Sequence, residues 1–178
     1  MNLAFAGQTV IVTGGAHGLG RAIAHAFAAR GARTWTCDVL ADGLAETAAQ
    51  ASPAAGGGLE TAVVDVTDRA AVGRFVDRIA QATGRIDVLV NNAGGVCGQV
   101  GQPIEAVTPA QWRVIFDVNV DGSFHFAQAV APHMKAARAG RIVHISSGAG
   151  LGVSLTGIQA YASAKAAQIP KADFRIYR

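Results

Sequence analysis

Five short apolar runs set what this chain can fold into. They read QTVIVT (8–13), RTWTCD (33–38), ETAVVD (60–65), IDVLVN (86–91) and RIVHIS (141–146). Several are nearly continuous in Val and Ile, the pattern of strands covered on both faces. The segments between them carry helical periods instead. Leu19, Ile23 and Phe27 recur at every fourth residue after the first run, and Gly31 is placed to end that helix. Val72, Phe75, Val76 and Ile79 form a second stripe, closed by Gly84. After the fourth run, Thr108 suits an N-cap, Pro109 the first helical position and Gln111 the capping-box partner. That helix can run to about Arg138. Strands alternating with helices predict an α/β fold with a parallel sheet and right-handed crossovers. ASPAAGGG (51–58) reads as a surface loop, and no repeat or inter-domain linker interrupts the pattern.

Composition narrows the class. With 51% apolar residues in 178, the chain can bury a core and is not disordered. Its 22 glycines are dispersed, which implies tight turns and close backbone contacts rather than low complexity. Fifteen basic and twelve acidic residues leave a net charge of +3 without a block of like charge, so no nucleic-acid surface is expected. Cys37 and Cys97 are far apart and form no CxxC pair, as in a reduced, cytoplasmic protein. No apolar run is long enough for a membrane span, and the N-terminus lacks the pattern of a signal peptide.

The first turn carries Gly14, Gly18 and Gly20 between a strand and a helix. Glycine lets the backbone approach a pyrophosphate, and the helix N-terminus beyond offers free N–H groups and a positive dipole end. The spacing is G-x-x-x-G-x-G rather than G-x-G-x-x-G, and a tight strand–helix connection would also use such glycines. Asp38 ends the second run, 18 residues past Gly20. A carboxylate there accepts hydrogen bonds from the adenine ribose diol and repels a 2′-phosphate, which favours NAD over NADP. His17 adds little to a phosphate site, and Arg33 belongs at the far end of its strand. Asp65 is a second candidate for the adenine edge.

Tyr161 and Lys165 are four apart and share a helix face. A free phenol titrates near ~10, and a neighbouring ammonium favours the phenolate. Such a phenol can give a proton to a carbonyl as hydride arrives, or take one from an alcohol. A tyrosine packed on a lysine stem would show the same spacing. Ser147, 14 residues before Tyr161, stands with Ser146 at the carboxyl end of the fifth run, where parallel sheets place ligand chemistry. Asn119 falls mid-helix, where its amide gains little locally, so a buried polar role is plausible. His125 and His144 have no companion at metal-ligand spacing, and no metal site is expected. Trp112 and Phe116 are expected in the core, as is Cys37.

TGGAHGLG (13–20), Asp38, DV (65–66), NNAG (91–94), Asn119 in DVNVDGSF, ISS (145–147) and YASAK (161–165) occur in one order. Jointly they resemble the short-chain dehydrogenase/reductase superfamily from about residue 7 to 169. The resemblance implies a Rossmann-type doubly wound sheet in three α/β/α layers, and hydride transfer between a nicotinamide and a small-molecule alcohol or ketone. Tyr161 would be the general acid/base, and Lys165 would bind the nicotinamide ribose and depress the tyrosine pKa. Ser147 would orient the substrate oxygen, with Ser146 fitting less well, and Asn119 would hold a water of the proton relay. Gly14, His17, Gly18, Leu19, Gly20, Asp38, Asp65, Val66, Asn92, Ala93 and Gly94 would line the cofactor, Tyr161 and Lys165 contacting it too.

Members of that family are longer. The implied fold lacks their last strands and substrate-covering loop, so RIVHIS becomes an exposed edge. The homo-oligomer, which packs the Thr108 and Tyr161 helices between copies, would be weakened. Residues 1–169 then form an incomplete dinucleotide-binding domain. Pro170 disfavours helix at Ile169, and 170–178 reads as an atypical tail, from truncation or a frameshift. Two readings stand: an NAD(P)-dependent oxidoreductase, and a non-catalytic dinucleotide-binding fragment of one. A sugar-nucleotide epimerase is disfavoured because its G-x-x-G-x-x-G turn is missing.

Overall fold

A computed structural model describes residues 3–153 and 156–169. The atypical tail at 170–178 lies outside the described residues.

Strands β1 (Thr9–Thr13), β2 (Arg33–Asp38), β3 (Gly58–Val63), β4 (Val88–Asn91) and β5 (Arg141–His144) form one parallel sheet in the order β3-β2-β1-β4-β5. Helices α1 (Gly18–Ala28), α2 (Ala41–Ala49), α3 (Arg69–Thr83), α4 (Pro109–Phe116), α5 (Gly122–Ala137) and α6 (Gln159–Ala167) connect and cover it. The chain winds outward from β1 to β3, then returns to add β4 and β5 on the other side. That reversal leaves a crevice at the carboxyl ends of β1 and β4, the usual ligand position in such sheets. β5 is the sheet edge, and Val143 on it is 44% exposed.

Alternate residues of the central strands feed two cores. Ile11 and Leu89 join Val72, Phe75, Val76, Ile79, Phe126, Val130 and Met134 on the α3–α5 side. Val10, Val12, Val88 and Val90 meet Ala24, with Ile23 and Phe27 half-buried, on the other. Burying such a side chain contributes about 1.5–3 kcal/mol. This is why both stripes read from the sequence define the layers. Leu19 is the exception: it is 57% exposed, and Gly20, Ala24 and Ala28 form the buried face of α1 instead.

Boundaries move where pairing overrides local pattern. β3 begins at Gly58 and ends at Val63 because it pairs residue for residue with Arg33–Asp38. Asp65 therefore lies two residues past the strand. β4 begins at Val88, although Ile86 ahead of it is still buried. β5 ends at His144, leaving Ser146 and Ser147 in the following loop. Helix α2 had no sequence stripe to announce it. Cys37 is fully buried, whereas Trp112 and Phe116 stack at 5.1 Å only half-buried, over Ile115, Ala160 and Ala164.

The capping box of α4 is present, with the Thr108 side chain accepting from Gln111 N–H and the Gln111 side chain from Thr108 N–H. The expected long helix is interrupted at Asp117–Asp121 by a π-turn, in which Gly122 N–H reaches back five residues to Asp117 O. Arg138 closes α5 in a left-handed conformation.

Candidate active site

The glycine turn is shaped by contact. A Cβ on Gly20 would lie 1.9 Å from Gly14 O, and one on Gly14 would lie 2.8 Å from Ala93 Cα. Gly14 also has φ +73, a conformation that costs any residue with a side chain. Asn92 closes the turn from β4, donating through Nδ2 to the carbonyls of Thr13 (3.0 Å) and Gly14 (3.2 Å). Thr13 Oγ1 accepts from the N–H groups of Asn92 and Ala93 in return.

Helix α2 braces the turn from the other side. The Ala16 N–H donates to Asp38 Oδ2 at 3.0 Å, and the Ala16 carbonyl accepts from Arg21 Nη2. Arg21 Nε donates to Thr47 Oγ1 (2.8 Å), and that hydroxyl donates to Gly15 O (2.8 Å). Asp38 Oδ1 accepts from Val39 N–H and Leu40 N–H. Arg21 and Thr47 went unnoticed in the sequence because their partners lie on a helix the pattern did not reveal. His17 is the N-cap of α1, but its side chain accepts nothing from the first turn, which carries no acidic residue. The leading amide groups of α1 are left for an anion.

A cavity of about 770 Å³ opens beside this turn. Gly14, His17, Leu19, Gly20, Asp38, Asp65, Val66, Asn92, Ala93 and Gly94 line it, together with Cys97, Val114 and Val118. Leu19 thus turns its exposed side chain to the cavity rather than the core. Gly18 does not line it, and neither do Asn119, Ser147, Tyr161 or Lys165. The volume and the strip from glycine turn to Asp38 fit a nicotinamide dinucleotide, whose pyrophosphate the turn would receive and whose adenosine Asp38 and Asp65 would border.

The polar residues from the second half of the chain meet at Gly94. A Cβ there would lie 2.4 Å from Asn119 Oδ1 and 3.1 Å from Lys165 Nζ. Asn119 is fully buried; its Nδ2 donates to Gly95 O (2.9 Å) and Ile115 O (2.8 Å), and its Oδ1 accepts from Gly95 N–H (3.1 Å). Its main-chain oxygen accepts from Ser123 Oγ (2.9 Å) and Gln168 Nε2 (2.6 Å). A water relayed through Asn119 would be left the remaining lone pair of Oδ1.

Lys165 is 3% exposed, and its ammonium donates to Ile145 O at 2.9 Å. The same Nζ lies 5.6 Å from the centroid of the Tyr161 ring, one helical turn away. Burial pulls the Lys165 pKa from the ordinary 10.5 down to about 8. His144 is pushed down as well, first by burial and then by the Lys165 charge. Ser146 Oγ donates to Lys165 O (2.7 Å), whereas Ser147 Oγ accepts from Ala149 N–H (3.2 Å) and caps a short 3₁₀ turn. That turn packs tightly on α6, since a Cβ on Gly150 would come within 2.6 Å of Ala166 N.

Gln99 and Gln159 tie two loops together beside the site. Gln99 Nε2 donates to Gly157 O (2.7 Å) and Gln159 Nε2 to Gln102 O (2.9 Å), joining the loop after β4 to the lead-in of α6. Their spacing in the sequence carries no signal, because the two loops meet only in the fold.

The strand order, the glycine turn at its switch point and the adjoining cavity define a Rossmann-type nucleotide-binding α/β protein. The chain belongs to the short chain dehydrogenase family, whose profile matches residues 8–170. It is 38% identical over 165 residues to sorbitol dehydrogenase of Cereibacter sphaeroides, covering 92% of this chain and 61% of that protein. Among solved structures, it matches a 7α-hydroxysteroid dehydrogenase complexed with NADH and 7-oxo glycochenodeoxycholic acid with a TM-score of 0.84 and 32% identity, over 94% of this chain and 63% of the other. A metagenomic short-chain oxidoreductase in complex with NADP matches with a TM-score of 0.82 and 36% identity, over 90% of this chain and 71% of that one. The chain therefore spans about three fifths of the length of sorbitol dehydrogenase. Its family is one of oxidoreductases that use nicotinamide cofactors.

Proposed function

We propose that this chain is the cofactor-binding and catalytic part of an NAD-dependent oxidoreductase acting on a small alcohol or ketone. The observation that carries the reading is the meeting at Gly94. Gly94 lines the cavity bordered by the glycine turn and Asp38, and the Lys165 ammonium and the Asn119 amide converge on that same glycine, with the Tyr161 ring beside the ammonium. A bound nicotinamide supplies or accepts the hydride. Tyr161 holds the proton that enters or leaves the substrate oxygen, with the ammonium of Lys165 5.6 Å from the centroid of its ring. Ser147 donates its hydroxyl hydrogen to that oxygen while still accepting from Ala149 N–H, since a hydroxyl can do both. Asn119 keeps Gly95, the neighbour of the lining residue Gly94, in place. Asp38 receives the adenine ribose and repels a 2′-phosphate, which favours NAD over NADP.

A second copy of the chain packing against the α4 and α6 helices is the assembly this reading expects, and a cytoplasmic setting accords with it. Among the described residues, no helix is long and apolar enough to cross a membrane. The exposed edge at β5 keeps the second reading in play, a dinucleotide-binding fragment without turnover. Purified chain with NADH and a panel of small ketones separates the two. Steady NADH oxidation that Tyr161→Phe abolishes, with NADH binding kept, supports the enzyme. Binding without turnover in both proteins supports the fragment.

A further inference from the structure

Tyr161, Lys165 and Gln168 follow one another at i, i+4 and i+7, on one face of α6 and its C-cap. The first two belong to the site already described. Gln168 is 6% exposed, an unusual place for a glutamine with no charge to balance. Its Nε2 donates to the Asn119 carbonyl at 2.6 Å and to Ser123 Oγ at 2.9 Å, while Ser123 Oγ donates to the same carbonyl. Its Oε1 is buried and has no hydrogen-bond partner among the described residues. A buried amide that tolerates an orphaned oxygen is retained for what its nitrogen holds, because an apolar side chain there would avoid that penalty. What the nitrogen holds is the π-turn at the residue whose side chain clasps both backbone groups of Gly95.

We propose that Gln168 is a positioning residue. Its amide ties α6 to the Asn119 carbonyl, and so fixes Tyr161 and Lys165 relative to the lining residue Gly94 and its neighbour Gly95. The catalytic consequence rests on the function proposed above; the positional one does not. Losing the tie frees Asn119 to shift and loosens the Gly95 N–H on its Oδ1. Gln168→Met keeps the length and removes the donor.

The test is site-resolved amide hydrogen exchange on the full chain, with NADH titration and turnover measured in parallel. In Gln168→Met, exchange at Gly95 should rise about fivefold, the worth of one neutral hydrogen bond, while the amides of β1 and β4 stay within about twofold. If the chain turns over ketones, kcat should fall by a similar factor with KM and the NADH Kd unchanged. Ser123→Ala, which removes the other donor to the same carbonyl, should show a smaller rise at Gly95 and replaces Gln168→Met if that variant does not fold. Unchanged exchange at Gly95, or a rise shared by β1 and β4, overturns the proposal. Selective exchange at Gly95 in a chain without turnover upholds the positioning role and removes only the enzymatic reading.

Discussion

Replacing Lys165 by methionine should stabilise the fold. The ammonium is almost wholly buried, and its pKa falls from 10.5 to about 8 because burial penalises the charge. A fall of that size corresponds to at most about 3–4 kcal/mol of destabilisation at neutral pH, which solvent screening discounts to about 2 kcal/mol. Methionine keeps the length of the side chain but leaves Ile145 O without its donor, which costs about 1 kcal/mol. The net expectation at pH 7 is a gain of about 1 kcal/mol, a shift of about 0.5 M in a urea midpoint.

The sign changes with pH in a defined way. Below about 8 the wild-type lysine is charged whether folded or unfolded, so the penalty is fully present. Between about 8 and 10.5 it loses its proton in the folded state while the unfolded chain keeps it, so wild-type stability rises. The advantage of Lys165→Met should therefore shrink across that window and reverse above it, where only the missing donor to Ile145 O remains and the variant is about 1 kcal/mol less stable. Urea denaturation of both proteins at pH 7, 9 and 11 measures this, and taking the difference cancels groups common to both. A variant less stable than wild type at pH 7, or a difference that does not move with pH, would refute the argument from desolvation.

Two glycine-to-alanine changes should have opposite signs. Gly20→Ala drives a Cβ to within 1.9 Å of Gly14 O and should weaken NADH binding at least about tenfold or prevent folding, whereas a Cβ on Gly73 in α3 meets nothing within 4 Å and Gly73→Ala should raise stability by about 0.5–1 kcal/mol. Thermal melts and NADH fluorescence titration read both. Asp38→Ala should shift the ratio of NADPH to NADH affinity about tenfold toward NADPH by removing one charge beside the adenine ribose; an unchanged ratio would mean that Asp38 serves only its bonds to the N–H groups of Ala16, Val39 and Leu40. A thiol reagent should modify one cysteine in the native chain and two in denaturant. Cys97 is exposed, while Cys37 is fully buried with its thiol pushed well above the usual range. Rapid reaction of both in the native state would contradict the burial of β2.

The sequence by itself determined the elements whose cause is local. Short apolar runs, several of them rich in Val and Ile, marked five strands, the stripe at Val72–Ile79 gave α3, and Thr108, Pro109 and Gln111 gave the start of α4. Glycine spacing located the turn, and four-residue spacing put Tyr161 beside Lys165. Tertiary structure decided what depends on distant partners. The ends of β3 follow β2 rather than its own valines, and Leu19 leaves the core because Gly20 must pack against Gly14. Arg21 and Thr47 reach the turn only through α2, and Asn119 owes its place to a π-turn held from α6. Gln168 shares its spacing with Tyr161 and Lys165, but the spacing does not say what the amide touches. Hydrophobic period and backbone conformation are written in neighbouring residues. A buried polar group has to be satisfied by whatever the folded chain brings within ~3 Å, and that is fixed only when the layers close.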